Sequence, residues 1–426
     1  MARLLVATVP LTGHVHPMRM VVQELIARGH EIVWCGGRRF EASIVATGAR
    51  FVATERDFDD RDVEAALPAL RRKRGLRRVK TQLREMFIAP MADQLRELEA
   101  ICEQFVPAAI LADSAHLGAM LLSEKHAIPW VGLGISAIVV PSLDTAPFGS
   151  ALPPGDPEKM RPRNRVLNHV IFRWVFAGTN RAFRRGRVAA GLPAGNATYF
   201  DVMSPHLFLQ PTIEAFEYPR SDLPSQVRFI GPLVPRDPAT SLPAWWPELL
   251  AAHRAGTPIV LVTQGTLATD PRELVMPTLA ALADLDVFVV ATIAGEVAAP
   301  VNARVAEYLP YQALLPMCAA MVTNGGYGGV QMALAHGVPM IVAGGSEEKP
   351  EIAARVAWSG TGIDLRTRRV KASKMRIAVE RVLAEPRFRD RARALGELMS
   401  RSDARATAAT LIEELAGYTA AVKRSA

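Results

Sequence analysis

Apolar residues along the first fifty positions alternate between short continuous runs and a stripe spaced for a helix. The run from Arg3 to Val9 is typical of a buried strand, and so is the run from Glu31 to Cys35. Between them, apolar residues recur at the spacing of one helical face, at Met18, Val21, Val22, Leu25 and Ile26. Gly29 is placed to end that helix. This strand–helix–strand order predicts a parallel sheet with a right-handed crossover.

The same kind of pattern continues in two series that a proline-rich stretch separates. In the first series, the other predicted strands are residues 50–53, 108–112 and 129–133, and residues from about 55 to 100 look helical. Five prolines between 224 and 243 interrupt any regular element, so a linker is expected there. In the second series, the predicted strands are residues 258–262, 287–291, 320–323 and 338–342, with helices starting near Pro271, Gln312, Tyr327 and Pro350. From about residue 371 onward, the pattern predicts a run of amphipathic helices.

This organisation predicts an α/β protein of two doubly wound, Rossmann-like domains that face an interdomain cleft. The chain has 426 residues, too many for one ordinary core, and half of them are hydrophobic, which is ample material for two buried sheets. We expect an N-terminal domain at 1–215, a linker region at 216–255, a C-terminal domain at 256–405 and a last helix at 406–426.

Cysteine usage and hydropathy point to a cytoplasmic location. Cys35, Cys102 and Cys318 lie far apart in apolar settings, which is typical of reduced, buried thiols. No uninterrupted apolar run reaches the length of a membrane span, and the chain enters its first strand at once. We therefore expect no signal peptide and no stable membrane insertion.

Positive charge is concentrated in two places. The net charge is +8, and much of the excess lies in residues 71–80 and in the arginines between Arg161 and Arg187. Such runs can dock nucleic acid or anionic lipid, but a solvated helix face is the commoner explanation and the one we favour. No aromatic residues interleave with the first run to stack on bases, so we expect no nucleic-acid partner.

A glycine-rich turn, Asn324-Gly-Gly-Tyr-Gly-Gly329, lies between a predicted strand and a predicted helix. Its four glycines allow tight turns and a close approach of the backbone to a ligand. The start of the following helix offers unpaired N–H groups and the positive end of the helix dipole. Together these features predict an anion site, and a phosphate is its natural occupant.

Two polar side chains are placed at strand ends of the first series. His14 and His16 lie in the segment Leu11-Thr-Gly-His-Val-His-Pro17 directly after the first strand, and Asp113 follows the strand at 108–112. Either histidine alone could simply cap the next helix or bond its own loop, and Asp113 could be a helix N-cap. A histidine beside a carboxylate could instead form a general-base dyad, because the carboxylate fixes the tautomer of the imidazole.

Residues Asn324 to Arg355 resemble the donor signature of GT-B-fold, family 1 glycosyltransferases, the UDP- and dTDP-sugar-dependent group that includes macrolide and antibiotic types. The family pattern is roughly His-Gly-Gly-x-Gly-Thr, Glu-Ala-Leu-x-x-Gly-Val-Pro and Asp-Gln-x-x-Asn-Ala. This chain has Asn324-Gly-Gly-Tyr-Gly-Gly329, Met332-Ala-Leu-Ala-His-Gly-Val-Pro339 and Glu348-Lys-Pro-Glu-Ile-Ala353, in the same frame without gaps. The family also carries Gly-His-x-x-Pro in its first loop, and Gly13 to Pro17 matches it.

The resemblance implies a role for each matched position of the first domain. His14 corresponds to the catalytic base and Asp113 to the aspartate that supports it, whereas His16 falls where the family varies. In the GT-B fold the N-terminal domain binds the acceptor and the last helix crosses back onto it. Gly13 and Ser136 would lie on the acceptor side. Met86 and Met91 could form a soft acceptor wall, although a helix packing face explains them equally well.

The resemblance also implies a donor site for the nucleotide sugar in the C-terminal domain. Asn324, Gly325, Gly326, Tyr327, Gly328 and Gly329 would surround the diphosphate, together with Thr266. Tyr308 would stack on the base and the backbone of Tyr311 would meet the base edge, unless these tyrosines belong to the core. Glu348 and Lys349 stand where the family has the Asp-Gln pair that holds the sugar hydroxyls. Four positions differ from the residues of the family pattern: Asn324, Gly329, Met332 and Lys349.

The resemblance thus implies an inverting, metal-independent transfer of a hexose from UDP or dTDP to a hydroxyl of a lipophilic small molecule, such as a polyketide, macrocycle, aromatic natural product or xenobiotic. No resident cofactor is expected. The stretch Asp57-Phe-Asp59-Asp60 imitates a metal motif, but we expect it to lie outside the cleft. Two alternatives remain: a non-catalytic protein that binds a nucleotide or a lipophile, and a nicotinamide-dependent oxidoreductase. The second is disfavoured because no Gly-x-Gly-x-x-Gly follows the first strand.

Overall fold

The computed structural model describes residues 1–235, 242–265, 270–293, 297–345 and 347–425. Within these ranges the strands fall into two groups, one before residue 230 and one after residue 258. The strands are β1 Arg3–Ala7, β2 Glu31–Gly36, β3 Arg50–Ala53, β4 Ala109–Asp113, β5 Trp130–Leu133, β6 Leu207–Gln210, β7 Val227–Phe229, β8 Ile259–Thr263, β9 Phe288–Thr292, β10 Ala303–Ala306, β11 Cys318–Thr323, β12 Met340–Val342 and β13 Gly362–Asp364.

Helices connect these strands and cover both faces of the sheets. The α-helices are α1 Thr12–Ala27, α2 Glu41–Val45, α3 Val63–Ala66, α4 Gly75–Gln82, α5 Met91–Gln104, α6 Leu117–His126, α7 Pro157–Asn168, α8 Ala177–Ala189, α9 Trp246–Arg254, α10 Val275–Leu282, α11 Tyr311–Leu314, α12 Tyr327–Ala335, α13 Lys349–Trp358, α14 Ala372–Ala384, α15 Pro386–Ser400 and α16 Ala404–Ser425. Two π-helices, Leu83–Ile88 and His169–Val175, continue α4 and α7. None of the described helices is long and apolar enough to cross a membrane.

The described strands form two parallel sheets. The first has the order β3-β2-β1-β4-β5-β6-β7 and the second the order β10-β9-β8-β11-β12-β13. In both, the strand order reverses beside the first strand of the sheet, between β1 and β4 and between β8 and β11. Ligands of doubly wound folds bind at such switch points, beyond the carboxyl ends of the strands. The expected α/β class with two doubly wound sheets is therefore confirmed.

Each sheet is buried on both faces, which explains its continuous apolar strands. Val6 and Leu111 of the first sheet point into one core layer with the buried side of α1, and Leu5 and Ile110 point into the opposite layer with α5 and α6. The second sheet is sandwiched in the same way. Cores on both faces hold the strand ends rigidly, so side chains that follow β1, β4, β8 and β11 are fixed in position.

The last helix packs on the first domain. Ala408, Ile412 and their neighbours on α16 join the apolar layer of α1. Arg28, just after α1, donates to the Glu413 carboxylate at 2.9 Å, and His30 bonds the same carboxylate at 2.8 Å. This arrangement gives α16 the crossing position that the GT-B resemblance implies.

The structure corrects several details of the sequence prediction. The nine predicted strands are present, shifted by up to two residues at their ends, but β6, β7, β10 and β13 were missed. The first sheet extends to β7, which lies in the segment predicted as a linker. Residues 12–17 were expected to form a loop and instead form the first turns of α1.

Candidate active site

The side chains of His14 and Asp113 meet at the switch point of the first sheet. His14 lies in the first turn of α1, which begins five residues after β1 ends, and Asp113 is the last residue of β4. The Nδ1 atom of His14 is 3.0 Å from Oδ1 of Asp113. Because β1 and β4 are neighbours, their common edge brings together two residues that are 99 positions apart. The two predicted residues of the dyad are therefore in contact.

The carboxylate of Asp113 is completely buried and fully engaged. Its Oδ2 accepts the backbone N–H of Val9 at 2.7 Å, and its Oδ1 also accepts the N–H of Ala115 at 2.9 Å. Burial opposes ionisation, but the charge and hydrogen bond of His14, followed by the charge of His116 and the Val9 amide, hold the pKa of Asp113 below its ordinary value. The carboxylate thus stays ionised and orients the imidazole. The helix that follows is capped by His116, not Asp113, since the His116 Nδ1 accepts the Ala119 N–H at 3.3 Å.

Asp60 supports the turn that carries His14, a contact that the sequence did not indicate. Its Oδ2 accepts the backbone N–H of Thr12 at 2.6 Å, and its Oδ1 pairs with Arg39. The segment of residues 57–60 was expected to lie outside the cleft, and its Asp60 is buried against the first turn of α1. Asp60 is almost fully buried and stabilises the first turn of α1 through an unpaired helix N–H group. Within the described ranges, no three His, Cys, Asp or Glu side chains are grouped to hold a metal ion.

The His14 ring lies beside an apolar surface. The Phe87 ring stacks on it with centroids 6.3 Å apart and planes 13° apart. Phe87 belongs to a small cluster with Met86, Leu11 and Ile135. Met86 is therefore buried in the apolar cluster beside His14, and its role in an acceptor wall stays a prediction. Gly13 and His16 are both exposed in the first turns of α1, whereas His14 between them is buried.

Two other acceptor-side predictions have different outcomes. Met91 is fully buried in the core between α5 and α8, where a Cβ on Gly186 would meet its Sδ at 2.3 Å. It is thus a packing residue, the alternative that the sequence left open, and it does not line an acceptor site. Ser136 is half-buried beyond β5, and its carbonyl accepts the side-chain amide of Gln210 at 2.8 Å.

The glycine-rich turn leaves an open space in front of the start of α12. Gly325 has φ +90°, and a Cβ there would lie 2.8 Å from Cγ1 of Val342, so the turn needs glycine at this position. Gly326 is the N-cap of α12, and a Cβ on Gly326 or Gly328 would meet nothing within 4 Å. The backbone at the start of the helix is therefore open at these two positions, which leaves room for an anion near its first N–H groups.

The side chains of the turn point away from that space. Asn324 is buried and donates to the carbonyl of Gln264 at the end of β8, so its side chain joins the two loops of the switch point. Tyr327 is also buried, and its hydroxyl accepts the amide of Gln210 on β6 at 2.6 Å. Tyr327 thus links the two domains, which the sequence did not reveal. Gly329 lies inside α12, and a Cβ at this position would be 3.6 Å from Cε of Met321. Thr266 lies outside the described residues.

Glu348 and Lys349 stand at the N-terminal end of α13. The Nζ of Lys349 pairs with the Glu347 carboxylate at 2.5 Å, so this lysine is neutralised within its own loop. Burial and then the charge of Glu347 raise the pKa of Glu348, whereas the charges of Lys349 and His14 oppose the shift. The charge of His14 acts on Glu348, so the two groups lie within electrostatic range of each other.

The two tyrosines near the predicted base site differ in exposure. Tyr308 is 72% exposed, so its ring is available for stacking. Tyr311 is half-buried at the start of α11, and its hydroxyl bonds with Thr263 and Thr292 at the ends of β8 and β9. Burial raises the pKa of Tyr311, and these hydrogen bonds oppose the shift. The side chain of Tyr311 therefore anchors α11 to the sheet.

Comparison with known proteins agrees with this geometry. Residues 276–415 match the model of the erythromycin biosynthesis protein CIII-like C-terminal domain. The chain is 43% identical to 4'-demethylrebeccamycin synthase of Lentzea aerocolonigenes over 97% of this chain and 99% of that protein. It is 35% identical to UDP-glycosyltransferase 2 of Phaeomoniella chlamydospora over 97% of this chain and 95% of that protein.

The fold is likewise that of solved glycosyltransferases. The structure of the kitacinnamycin glycosyltransferase superimposes with a TM-score of 0.73 over 97% of this chain and 98% of that chain, at 24% identity. A fold of two facing parallel sheets, a donor signature in frame and relatives matched from end to end all agree. The chain belongs to the GT-B-fold, family 1 glycosyltransferases.

Proposed function

We propose that the protein transfers a hexose from UDP or dTDP to a hydroxyl of a lipophilic small molecule, with inversion at the anomeric carbon. The observation that carries the proposal is the His14–Asp113 dyad at the switch point of the first sheet, with 3.0 Å between Nδ1 and Oδ1. A purely binding protein has no need of a base that is oriented in this way.

The hydrogen bond to Asp113 decides which nitrogen acts. Since Nδ1 of His14 donates to Asp113, the lone pair lies on Nε2, which is free to accept the proton of the acceptor hydroxyl. The acceptor oxygen then forms a bond to the anomeric carbon while the bond to the diphosphate oxygen breaks. A single in-line displacement inverts the configuration, and Asp113 stabilises the imidazolium that results.

The donor half is proposed to hold the nucleoside diphosphate at the N-terminal end of α12. The open space before Gly326 and Gly328 supports this placement, because backbone N–H groups and the helix dipole stabilise the departing diphosphate. Glu348 is proposed to accept hydrogen bonds from sugar hydroxyls, and exposed Tyr308 to stack on the base. We propose that this site acts without a metal ion, so that activity is unchanged in EDTA.

The acceptor is proposed to lie against the apolar cluster of Met86, Phe87 and Ile135 beside His14. The name of the relative 4'-demethylrebeccamycin synthase supports a natural-product acceptor, and that of UDP-glycosyltransferase 2 supports a UDP-linked donor. A cytoplasmic location belongs to the same proposal, since Cys35, Cys102 and Cys318 are unpaired.

The experiment is product formation by mass spectrometry, with UDP- and dTDP-hexoses against a panel of aromatic and macrocyclic alcohols. We expect a glycoside with the wild type and a loss of about 10²–10⁴-fold in His14→Ala. His16→Ala is the matched control, because it removes an exposed imidazole from the same helix. Equal activity in His14→Ala and His16→Ala would refute His14 as the base.

Calorimetric titration with UDP, dTDP and GDP separates catalysis from mere binding. We expect one nucleotide to bind with micromolar affinity in both the wild type and His14→Ala, because His14 does not contact the diphosphate in this proposal. Binding without any product across the panel would favour the non-catalytic alternative.

A further inference from the structure

The excess of positive over negative charge in this chain is concentrated in two segments of its N-terminal domain. Residues 157–189, which form α7, the second π-helix and α8, contain nine Lys or Arg and one Glu, a formal charge of +8. Residues 71–80, which include most of α4, contain seven Lys or Arg and no acidic residue. The rest of the chain therefore carries a formal charge of −7, so the net charge of +8 reflects a separated, not a uniform, distribution.

These two basic segments are neighbours in the structure. The Nζ of Lys80, near the end of α4, lies 5.7 Å from the centroid of the Phe176 ring at the end of the second π-helix. Leu83, the next turn along from Lys80, packs on the buried cluster of Phe172, Phe176 and Phe200. The two basic segments are therefore adjacent, and we call them together the α4–α8 face.

The helix of residues 157–175 presents two parallel rows on this face. Arg165, His169 and Arg173 repeat every four residues and are exposed, forming a polar and cationic row. Val166, Val170 and Trp174 repeat beside them and are exposed by 61%, 43% and 73%, forming an apolar row. The indole N–H of Trp174 donates to Nε2 of His169 at 3.2 Å, so the Trp ring lies along the polar row.

The opposite side of the same helix is anchored next to the active site. Phe172 and Phe176 are buried in a cluster with Tyr199 and Val139. Burial raises the pKa of Tyr199, and the negative charge of Asp113 raises it further, so this cluster lies within electrostatic reach of the dyad. One helix thus borders the acceptor side on its inner face and exposes a Trp-bearing apolar row on its outer face.

We propose that the α4–α8 face docks reversibly on an anionic lipid surface. A helix that combines a basic row with exposed aliphatic and Trp side chains has the composition of a helix that lies in the membrane interface. Arg and Lys bind the lipid phosphates, while Trp174, Val170 and Val166 enter the boundary between headgroups and acyl chains. Such docking requires no membrane span.

The apolar row distinguishes this partner from a nucleic acid. Phosphates of a duplex would use the cationic side chains but would leave Val166 and Val170 exposed to water. A lipid surface uses both rows at once, because burial of apolar area adds to the attraction of the charges. Some basic residues of the region already form ion pairs and contribute less: Arg78 with Glu64, Lys159 with Asp156, Arg161 with Asp144 and Arg187 with Glu124.

Docking would give the proposed reaction direct access to its acceptor. This consequence rests on the proposed function, in which the acceptor is lipophilic and partitions into membranes. The buried cluster under the docked helix would place the apolar surface beside His14 near the lipid. Docking itself requires no turnover, so the two proposals can fail separately.

The test is flotation of the full-length protein with vesicles of phosphatidylcholine alone or with 30% phosphatidylglycerol. We expect binding to the anionic vesicles only, reduced about fivefold for each basic side chain reversed in Arg165→Glu and Arg173→Glu, and reduced by salt. Trp174→Glu should reduce binding by about tenfold, and Trp174→Phe should retain most of it.

Matched variants control for net charge and apolar exposure elsewhere. Ile377→Glu changes an apolar side chain of α14 that is 60% exposed, and Arg254→Glu reverses an exposed charge of α9. Both should float like the wild type.

The proposal would be overturned if the protein did not bind anionic vesicles, or if Trp174→Glu bound them as well as the wild type does. Binding of a DNA duplex that competes with vesicles and ignores Trp174→Glu would assign the face to polyanions instead. Turnover of a water-soluble acceptor by Trp174→Glu, at the wild-type rate, would show that only docking is affected.

Discussion

Arg355 of α13 forms a buried ion pair with Glu217, which lies 138 residues earlier in the chain and follows β6 of the other domain. Glu351, one turn before Arg355, accepts the backbone N–H groups of Gly149 and Ala151 at 2.8 and 2.7 Å. The Arg355 guanidinium also lies 4.0 Å over the Tyr218 ring. These contacts hold α13 of the donor half against the acceptor half. Since α13 begins at Lys349, they also fix the position of the neighbouring Glu348.

Removing the charge of Arg355 should therefore destabilise the protein strongly. Arg355→Met leaves Glu217 and Glu351 buried without their cation, and we expect the free energy of unfolding to fall by about 3–5 kcal/mol. Urea unfolding followed by circular dichroism measures this loss. Arg381→Met, which breaks an exposed pair with Glu385 on α14, is the matched control and should change little.

A comparable effect in both variants would contradict the buried role of Arg355. The double variant Arg355→Met with Glu217→Gln adds a further check. It should lose less than the sum of the single variants, because the two side chains share one interaction.

The Asp113 carboxylate should make stability depend on pH in the acid range. Its pKa is lowered in the folded protein, chiefly by His14 against the opposing effect of burial, from an unfolded value of about 3.9. Its stabilising contribution is thus present above the unfolded pKa and is lost as pH falls through the folded one. We expect Asp113→Asn to be less stable than the wild type at pH 7, with the difference shrinking between about pH 5 and pH 3.

Unfolding by urea at a series of pH values measures that difference. A gap between wild type and Asp113→Asn that stays constant from pH 7 to pH 3 would mean that the carboxylate is not preferentially ionised in the folded state. The same variant should lose activity at neutral pH, because the amide can no longer stabilise the imidazolium of His14.

The parts of the site that the sequence could predict are those that follow directly from strand order. His14 and Asp113 lie at the ends of apolar runs, and parallel neighbouring strands bring such ends together. The space before Gly326 and Gly328 likewise follows from a glycine-rich turn between a strand and a helix. Periodicity and turn chemistry are local properties, so a single sequence carries them.

The missed features depend on contacts between distant segments or on very short elements. Nothing in the local pattern relates Gln210 to Tyr327 or Glu217 to Arg355, although each pair joins the domains. β7 and β13 have three residues each, too few to show an alternation of apolar and polar residues. They are strands only because they pair with neighbouring strands in the fold. The contact of Asp60 with α1 was missed because its partner, the Thr12 amide, is a backbone group that sequence does not distinguish.

The ionised carboxylate of Glu348 should lower the stability of the protein while it contributes to donor binding. Burial and the charge of Glu347 raise its pKa in the folded state, so ionising it above the unfolded value of about 4.3 costs folding free energy. We expect Glu348→Gln to have a higher Tm than the wild type at pH 8. The difference should vanish near pH 4, where the carboxyl is largely protonated in the folded protein.

Differential scanning fluorimetry at the two pH values measures the stability, and initial rates measure the KM for the donor. The KM should rise in Glu348→Gln, since an amide accepts fewer hydrogen bonds from sugar hydroxyls than a carboxylate. Glu397→Gln, an exposed position on α15, is the control. A Tm of Glu348→Gln at or below that of the wild type at pH 8 would contradict the inference that the ionised Glu348 carboxylate destabilises the fold.

Substitutions of the glycines near the start of α12 should affect stability and nucleotide affinity differently. Gly328→Ala adds a methyl group where nothing lies within 4 Å, inside a helix in which Ala is favoured over Gly by about 1 kcal/mol. We expect equal or higher thermal stability but a nucleotide affinity about ten- to hundredfold weaker, because the methyl group enters the space proposed for the diphosphate. Gly178→Ala, at an equally open position in α8, should raise thermal stability in the same way but leave nucleotide affinity unchanged.

Gly325→Ala should behave in the opposite way. The residue has φ +90° and its Cβ would lie 2.8 Å from Cγ1 of Val342, so we expect the free energy of unfolding to fall by about 1–2 kcal/mol or more. Calorimetry with UDP and dTDP, combined with thermal unfolding, distinguishes the two variants. If Gly328→Ala keeps full nucleotide affinity, the diphosphate does not occupy the space before α12. Since Gly328 lies in a helix that the substitution stabilises, such a result could not be attributed to misfolding.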